Sequence, residues 1–584
     1  MSGDSEKALT LDRANKPRVK MRERGDPDAR TPALRDESWP ALAFLLPPNH
    51  NPPGPHAGRS ALDGTGGQVH PKEWAARDRE RTALIFAADD RHMSYGELDD
   101  ASNRVAQALR ASGLCPGDGI AVVLGNTPEF FEIYWGAMRA GLYFTPINWH
   151  LTGDEMAYIV TNSDARALFA AAELGPIVGP LAREAAGLRR RIAVGGAISG
   201  FDDYATTLAA MPATPIADES EGSTMLYSSG TTGRPKGVRP PLPGTALGTG
   251  LMAATATVFQ SFFEMRTDDR YLCPGPLYHA APLSFSAIQH RIGAAVVVME
   301  KFTPEGALRS IERHRVTTSQ WVPTHFNRML SLPESVRMSF DLSSLRVAIH
   351  AAAPCPIPVK ERMIAWWGPK LVEYYAGTEG GGSLIRSEEW LSHRGSVGRH
   401  WAGGTIHILD DEGRAIDEPG RDGLVYFEGP ESAEARFRYH KDADKTADTW
   451  LGRLFTLGDI GHLDAEGYLY LTDRKSHMII SGGVNIYPQE VEHCLVEHPA
   501  VEDIAVIGVP HEDMGEEVKA IIQLRAGFTA DPALAAEIID WTRQRIAHFK
   551  APRSVAFLDE LPRQENGKIY KRRLRELYAG GASI

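Results

Sequence analysis

Short apolar runs and helical stretches alternate along most of the chain. Residues 83–86 (ALIF) and 120–125 (IAVVLG) read as buried strands. Between them Ser94-Tyr95-Gly96-Glu97-Leu98 opens a helix whose apolar positions Leu98, Val105, Ala106 and Leu109 share a face. The run NTPEFFEIYWGAMRAG reads as a helix ended by Gly141 and followed by a short strand, and Met225-Leu226-Tyr227 as another strand. A long helix is expected after residue 238, then a buried strand at 292–299, a helix near 304–314 and a strand at 317–323. Such alternation implies parallel sheets with helices on their faces. The stretch 171–218, rich in Ala and Pro, reads as loop and helix, and the turn-rich run 403–428 as an antiparallel hairpin. After Asp473 a smaller pattern begins, with strands in AVIGVP and KAIIQL and helices at 489–497 and 533–548.

These elements predict an α/β fold. A large domain at 67–473 carries an antiparallel subdomain at about 400–472, and a small α+β domain spans 474–584, with the boundary at 473–477. Residues 1–66 mix charge with Pro and Gly, as in LLPPNHNPPGPHAGRS, and read as a partly disordered extension. No period of 20 to 50 residues repeats. A length of 584 residues calls for two or three domains, and 43% hydrophobic with 24% charged residues is ordinary for a globular protein.

The formal charge of −12 argues against a general nucleic-acid binder, so an anionic substrate must be met by local positive groups. Cys115, Cys273, Cys355 and Cys494 are too scattered for a zinc site or a disulfide framework. The opening MSGDSEKALTLDR lacks the apolar core of a signal peptide, and no window reaches the roughly 18 apolar residues of a membrane span. A cytoplasmic protein is expected.

Chemistry concentrates at YSSGTTGRPKGV, residues 227–238, which holds two serines, two threonines, three glycines and a lysine. Glycines allow close backbone approach, hydroxyls and N–H groups supply donors, and Lys236 supplies a point charge, which together suit phosphate oxygens. A flexible linker is disfavoured by the apolar run before it and by Pro235. A Walker loop needs adjacent Gly-Lys followed by Ser or Thr, whereas Arg234 and Pro235 intervene here.

The motif S-S-G-T-T-G-x-P-K-G resembles the signature of the adenylate-forming enzymes: acyl-CoA synthetases, luciferases and peptide-synthetase adenylation domains. The resemblance covers about residues 68–575. It implies that Ser228, Ser229, Gly230, Thr231, Thr232, Gly233 and Lys236 hold the ATP phosphates. In Tyr374-Tyr375-Ala376-Gly377-Thr378-Glu379 it implies that Tyr375 packs on adenine, Thr378 contacts the α-phosphate and Glu379, with Thr232, holds Mg²⁺. Ala376 stands where glycine is usual, and Thr-Glu beside glycines also suits a helix start. Asp459, in Thr-Leu-Gly-Asp, matches the ribose-binding aspartate, and Arg474 an arginine near the ribose.

Ser476 occupies the hinge position, where Lys or Asp is usual. Gly482 and Gly483 match the strand edge lining the CoA tunnel, although a tight turn held by Asn485 is an alternative. Lys568, in Asn-Gly-Lys-Ile, matches the catalytic lysine that binds the carboxylate and α-phosphate together, while Lys571, Arg572 and Arg573 read as a solvated basic tail. His279 lies at the family's gate between the ATP and acyl pockets, though a lone histidine is more often structural. Trp321, Val322, His350, Ala351, Ala352 and Ala353 complete the expected acyl pocket, whose alanines suit a wide one.

The implied activity is a two-step acid–CoA ligase reaction: a hydrophobic acid, long-chain fatty or bulky polycyclic, is adenylated, and the small domain then turns so that the CoA thiol attacks the acyl carbon. ATP, Mg²⁺ and coenzyme A are the implied cofactors, and a homodimer is compatible with the reading. A carrier-protein thiol, oxygen as in luciferases, and a catalytically silent nucleotide-binding scaffold are the alternatives. The end of the chain soon after Lys568 favours a stand-alone synthetase over a carrier-fused one.

Overall fold

The computed structural model describes residues 69–228, 235–401, 404–474, 477–481, 484–511, 514–563 and 569–578. The expected extension 1–66, phosphate-loop residues Ser229, Gly230, Thr231, Thr232 and Gly233, and Ser476, Gly482, Gly483 and Lys568 lie outside the described residues.

Two sheets build the large part of the fold. In the nine-stranded one, six parallel strands run in the order Leu371–Gly377, Val347–His350, Thr318–Trp321, Arg270–Cys273, Ala295–Val298 and Thr82–Phe86, with antiparallel strands at both edges. A second, six-stranded sheet is parallel throughout, centred on Gly119–Val123 and Ala165–Ala171. The helices Tyr95–Ala111, Pro128–Arg139 and Ala280–Ile292 share one core with the facing sides of both sheets. A further core packs Pro304–His314, Pro323–Leu330 and Ile357–Trp367 on the other side of the larger sheet, and Gly153–Asn162 and Gly175–Glu184 cover the smaller one. Strands buried on both faces explain the unbroken apolar runs.

The expected helix at Ser94 is Tyr95–Ala111, capped reciprocally by Ser94 and Glu97, with Leu98, Val105, Ala106 and Leu109 all buried. Two sequence expectations are corrected. The run 292–299 is not one strand: a helix extends to Ile292, Gly293 ends it at φ 85°, and the strand is Ala295–Val298. The stretch 171–218 holds strands Arg190–Val194 and Asp202–Asp203, which extend the second sheet.

The hairpin expected at 403–428 is present as Ile406–Leu409 paired with Gly423–Glu428, joined by Leu454–Leu463 and Leu469–Arg474 into an antiparallel sheet. A separate C-terminal α+β domain is built on Val501–His511 and Gly515–Leu524, with Pro488–Leu495 and Pro532–Arg543 packed on their sheet. Among the described residues no helix is long and apolar enough to cross a membrane.

Candidate active site

Strands Leu226–Ser228 and Lys236–Arg239, on either side of the glycine- and hydroxyl-rich segment, pair antiparallel with Lys236 opposite Ser228. This strand pair is gripped from two sides. The Tyr227 hydroxyl donates to Asn162 Oδ1 at 2.6 Å, and the His440 backbone N–H donates to Gly237 O at 2.8 Å. His440 and Lys441 both reach the Asp164 carboxylate, at 2.9 and 2.7 Å. The lysine Nζ of Lys236 lies 6.0 Å from the Tyr439 ring centroid, and the Tyr439 hydroxyl donates to Glu379 Oε1 at 2.7 Å.

The segment around Thr378 is not a helix start. Leu371–Gly377 and Gly380–Arg386 form a hairpin with Gly377 opposite Gly380, which puts Thr378 and Glu379 in its turn. The pairing slips between Tyr375 and Gly377, so the unusual Ala376 sits at a bulge, a device that re-aims side chains beside active sites. A Cβ at Gly377 would come within 2.5 Å of Leu457 Cδ2 and 2.8 Å of Glu379 Oε2, so a larger residue there would displace the ends of both side chains.

Asp459 lies in the interior of a ten-residue strand, directly across from Arg474. Its carboxylate accepts from the Tyr375 hydroxyl and lies 3.0 Å from Arg474 Nε. Burial and the adjacent carboxylate hold the Tyr375 phenol well above an ordinary tyrosine, so it remains a donor. Tyr375, Asp459, Arg474 and Glu379 all interact electrostatically, which joins this set to the Lys236–Tyr439–Glu379 set in one polar cleft. Tyr439 carried no sequence signal, because it reaches Glu379 from a strand sixty residues further along the chain.

The match to known proteins settles the family. The model of the AMP-binding enzymes matches residues 71–435, and that of their C-terminal domain matches residues 490–568. The chain belongs to the AMP-binding enzyme family. It is 32% identical to the long-chain-fatty-acid–CoA ligase FadD13 of Mycobacterium tuberculosis over 87% of this chain and 98% of that protein. It is 36% identical to a 3-(7a-methyl-1,5-dioxo-octahydro-1H-inden-4-yl)propanoyl:CoA ligase of the same organism, over 85% and 96%. Among solved structures, the anthranilate CoA ligase in complex with anthranoyl-AMP superposes with a TM-score of 0.75 at 25% identity, covering 88% of this chain and 98% of that one. The protein is accordingly an AMP-forming acid–CoA ligase.

In this AMP-binding enzyme His279 is the half-buried N-cap of helix Ala280–Ile292, its ring 4.6 Å from that of Tyr278. The loop before it is fixed by Asn126, whose amide donates to Gly275 O and Met299 O and accepts from Leu277 N. Asn126 also went unnoticed in the sequence.

Phe285, on the helix that His279 caps, belongs to an aromatic cluster that residue types alone did not reveal. Phe285 lies 5.3 Å from Phe259, 5.1 Å from Phe263 and 5.7 Å from Tyr374, and Tyr374 stacks on Trp401 at 6.1 Å. Phe259, Tyr374 and Trp401 are only partly buried.

Two of the residues expected in the acyl pocket lie on the other side of the larger sheet from the aromatic residues. Trp321 is fully buried among Phe326, Trp367 and Phe302, on the opposite side of the larger sheet from Phe285 and Tyr374. His350 is fully buried on that same side, 5.3 Å from Phe326 and 3.9 Å from Glu373, which is itself paired with Lys360 at 2.5 Å. Burial and the Lys360 ammonium hold the His350 imidazole well below its ordinary value, so it is neutral. Their neighbours do lie at the strand ends. Val322 caps the next helix, Ala351 is buried, Ala352 is exposed and Ala353 half-buried.

Ala352 adopts φ 78°, in the left-handed region. This costs an L-residue about 1–2 kcal/mol, more than the entropy that glycine adds to the unfolded chain. Ala352→Gly is expected to raise the unfolding free energy by about 0.5–1 kcal/mol, read from the urea midpoint at unchanged slope; a loss of stability would show that the loop relies on the methyl.

Proposed function

We propose that the enzyme activates a ring-containing hydrophobic carboxylic acid as its acyl-adenylate and transfers the acyl group to the thiol of coenzyme A. The observation that carries the acid class is the aromatic cluster in which the partly buried Phe259, Tyr374 and Trp401 pack with the buried Phe263 and with Phe285, itself buried on the helix that His279 caps. Offset and edge-on ring contacts favour flat or fused-ring groups over a lone alkyl chain. The relative that is 36% identical acts, by its name, on a fused bicyclic propanoyl group.

Roles follow from position. Ser228, Ser229, Gly230, Thr231, Thr232, Gly233 and Lys236 would hold the β- and γ-phosphates. The Asp459 carboxylate, oriented by Tyr375 and Arg474, would take the ribose hydroxyls on its remaining lone pairs. Thr378, in the turn beside the bulge, would contact the α-phosphate.

One carboxylate with substrate phosphates suits Mg²⁺, which seldom takes an all-protein cage, and Glu379 with Thr232 would hold it. When bound there it supplies Lewis-acid stabilisation of the phosphate oxygens. His279 would close the acyl pocket and Lys568 would draw carboxylate and α-phosphate together.

For the second step the C-terminal domain would turn about Ser476 and present Gly482 and Gly483, which lie between the paired strands Ile479–Ser481 and Val484–Ile486, to the pantetheine arm.

The test is incubation of the purified protein with ATP, Mg²⁺ and fatty, aryl and fused-ring acids, with and without CoA, and mass spectrometry of the products. Fused-ring acyl-CoA with AMP and pyrophosphate is the expected result. Acyl-AMP that accumulates despite CoA would replace CoA with a carrier-protein thiol, and preference for linear acids would overturn the ring assignment.

A further inference from the structure

Glu379, the carboxylate placed on Mg²⁺ above, sits in a turn that runs into Gly380, Gly381 and Gly382, all at positive φ. Glycines leave the backbone there free to adopt many conformations, so the turn alone does little to aim the side chain. That side chain is half-buried. Among the described residues its one hydrogen bond comes from Tyr439, whose hydroxyl donates to Oε1 at 2.7 Å.

Tyr439 itself is firmly fixed. Strand Arg438–Tyr439 pairs antiparallel with Lys236–Arg239, with Tyr439 opposite Val238. The Tyr439 N–H donates to Thr446 Oγ1 at 3.0 Å. Its ring is buried, edge-on to Phe437 at 5.8 Å in a core shared with Val238, Val425 and Phe455. Phenylalanine would fill the same core, so the hydroxyl serves a polar partner.

The hydrogen bond from Tyr439 joins two sheets. Leu226–Ser228, Lys236–Arg239 and Arg438–Tyr439 form a three-stranded sheet, whereas the turn of Glu379 belongs to the nine-stranded one. A cation shared between Glu379 and the ATP phosphates needs the carboxylate and the phosphate-binding lysine at a fixed separation, and neither sheet sets that distance alone. Tyr439 touches both groups: its hydroxyl holds Glu379, and its ring centroid lies 6.0 Å from the Lys236 ammonium, within cation–π range.

We infer that Tyr439 is a positioning residue for the metal: it fixes Glu379 through Oε1 so that Oε2 meets Mg²⁺, and it backs Lys236 with its ring. Groups that orient a metal-binding carboxylate typically change metal affinity or activity by about 10- to 100-fold when removed. This inference rests on the placing of Mg²⁺ at Glu379 in the reading above and deepens it.

The experiment measures metal binding without turnover. Full-length wild type, Tyr439→Phe, Glu379→Gln and the double variant are saturated with α,β-methylene-ATP and titrated with Mn²⁺ below the Tm of each, free Mn²⁺ being read by electron paramagnetic resonance. Tyr439→Phe is expected to raise the Kd for Mn²⁺ by about 10- to 100-fold. It should add nothing in the Glu379→Gln background, because the tyrosine acts through that carboxylate.

Pyrophosphate release gives a second reading. The half-saturating Mg²⁺ concentration of Tyr439→Phe should rise in step, and excess Mg²⁺ should restore kcat to within about threefold. Its KM for ATP at saturating Mg²⁺ should stay within about twofold, since the ring remains beside Lys236. Tyr439→Leu removes the ring as well and should raise that KM by about two- to fivefold. Wild-type Mn²⁺ affinity in Tyr439→Phe with weakened binding in Glu379→Gln would overturn this inference alone. So would a loss of kcat that excess Mg²⁺ does not restore, the mark of a purely structural role. Unchanged affinity in both single variants would remove the metal from Glu379, and this inference with it.

Discussion

Lys568→Ala is expected to slow acyl-adenylate formation by about a hundred- to a thousandfold, the range for losing one preorganised group that stabilises transition-state charge. Thioester formation from supplied acyl-AMP should keep most of its rate, because the resemblance that assigns Lys568 places it in the first half-reaction. Lys568 lies outside the described residues, but its flanks are firmly held. Arg563 bridges to Ile569, and its guanidinium reaches Asp503 at 2.5 Å. Tyr570 N donates to Pro562 O at 2.7 Å.

The neighbouring cations have other duties: Lys571 pairs with Glu492 at 2.7 Å and Arg572 with Glu576 at 2.8 Å. Neither can readily take over. Pyrophosphate release measures the first half-reaction, and consumption of synthetic acyl-AMP with CoA measures the second. Equal losses in both would mean that the variant is globally damaged or that the lysine acts elsewhere.

Motifs were legible where function needs a special backbone or a fixed local order of donors. The strands on either side of the phosphate loop, the Tyr375–Glu379 segment and Asp459 could be located because glycines and hydroxyls at fixed spacing have few other uses. Facing direction was not legible in strands buried on both sides. Trp321 and His350 sit at the ends of their strands, yet alternation carries them to the side covered by Pro304–His314, Pro323–Leu330 and Ile357–Trp367, and a run apolar on both faces gives no hint of which side is which.

Contacts assembled across long separations were also invisible. Tyr439 meets Glu379 only once the sheets have formed. In 171–218 the alanines and prolines concealed the strand Arg190–Val194, whose pairing with Ala165–Ala171 outweighs its weak intrinsic preference.

Glu221→Ala is expected to lower the unfolding free energy by about 3–5 kcal/mol, the cost of leaving one partner of a buried ion pair uncompensated. The Glu221 and Arg291 side chains are 0% and 3% exposed, with Arg291 Nη2 at 2.5 Å from Glu221 Oε1. The other carboxylate oxygen accepts from Gly248 N at 2.7 Å, and Arg291 also donates to Val69 O at 3.0 Å. One carboxylate thus ties the helix Ala280–Ile292 to the chain just before the paired strands Leu226–Ser228 and Lys236–Arg239 and to the loop just after them. The loss should therefore appear in urea denaturation and also as a raised KM for ATP, since the strand pair loses its inner anchor.

A double replacement, Glu221→Leu with Arg291→Met, removes both charges and should recover most of the unfolding free energy, because desolvating the pair consumes much of its attraction. It should not recover the KM, because an aliphatic side chain in place of Glu221 cannot accept from Gly248 N. Stability and KM restored together would mean that packing alone positions the strand pair. A single Glu221→Ala cost below about 1 kcal/mol would instead mean that water reaches Arg291, as at a surface pair.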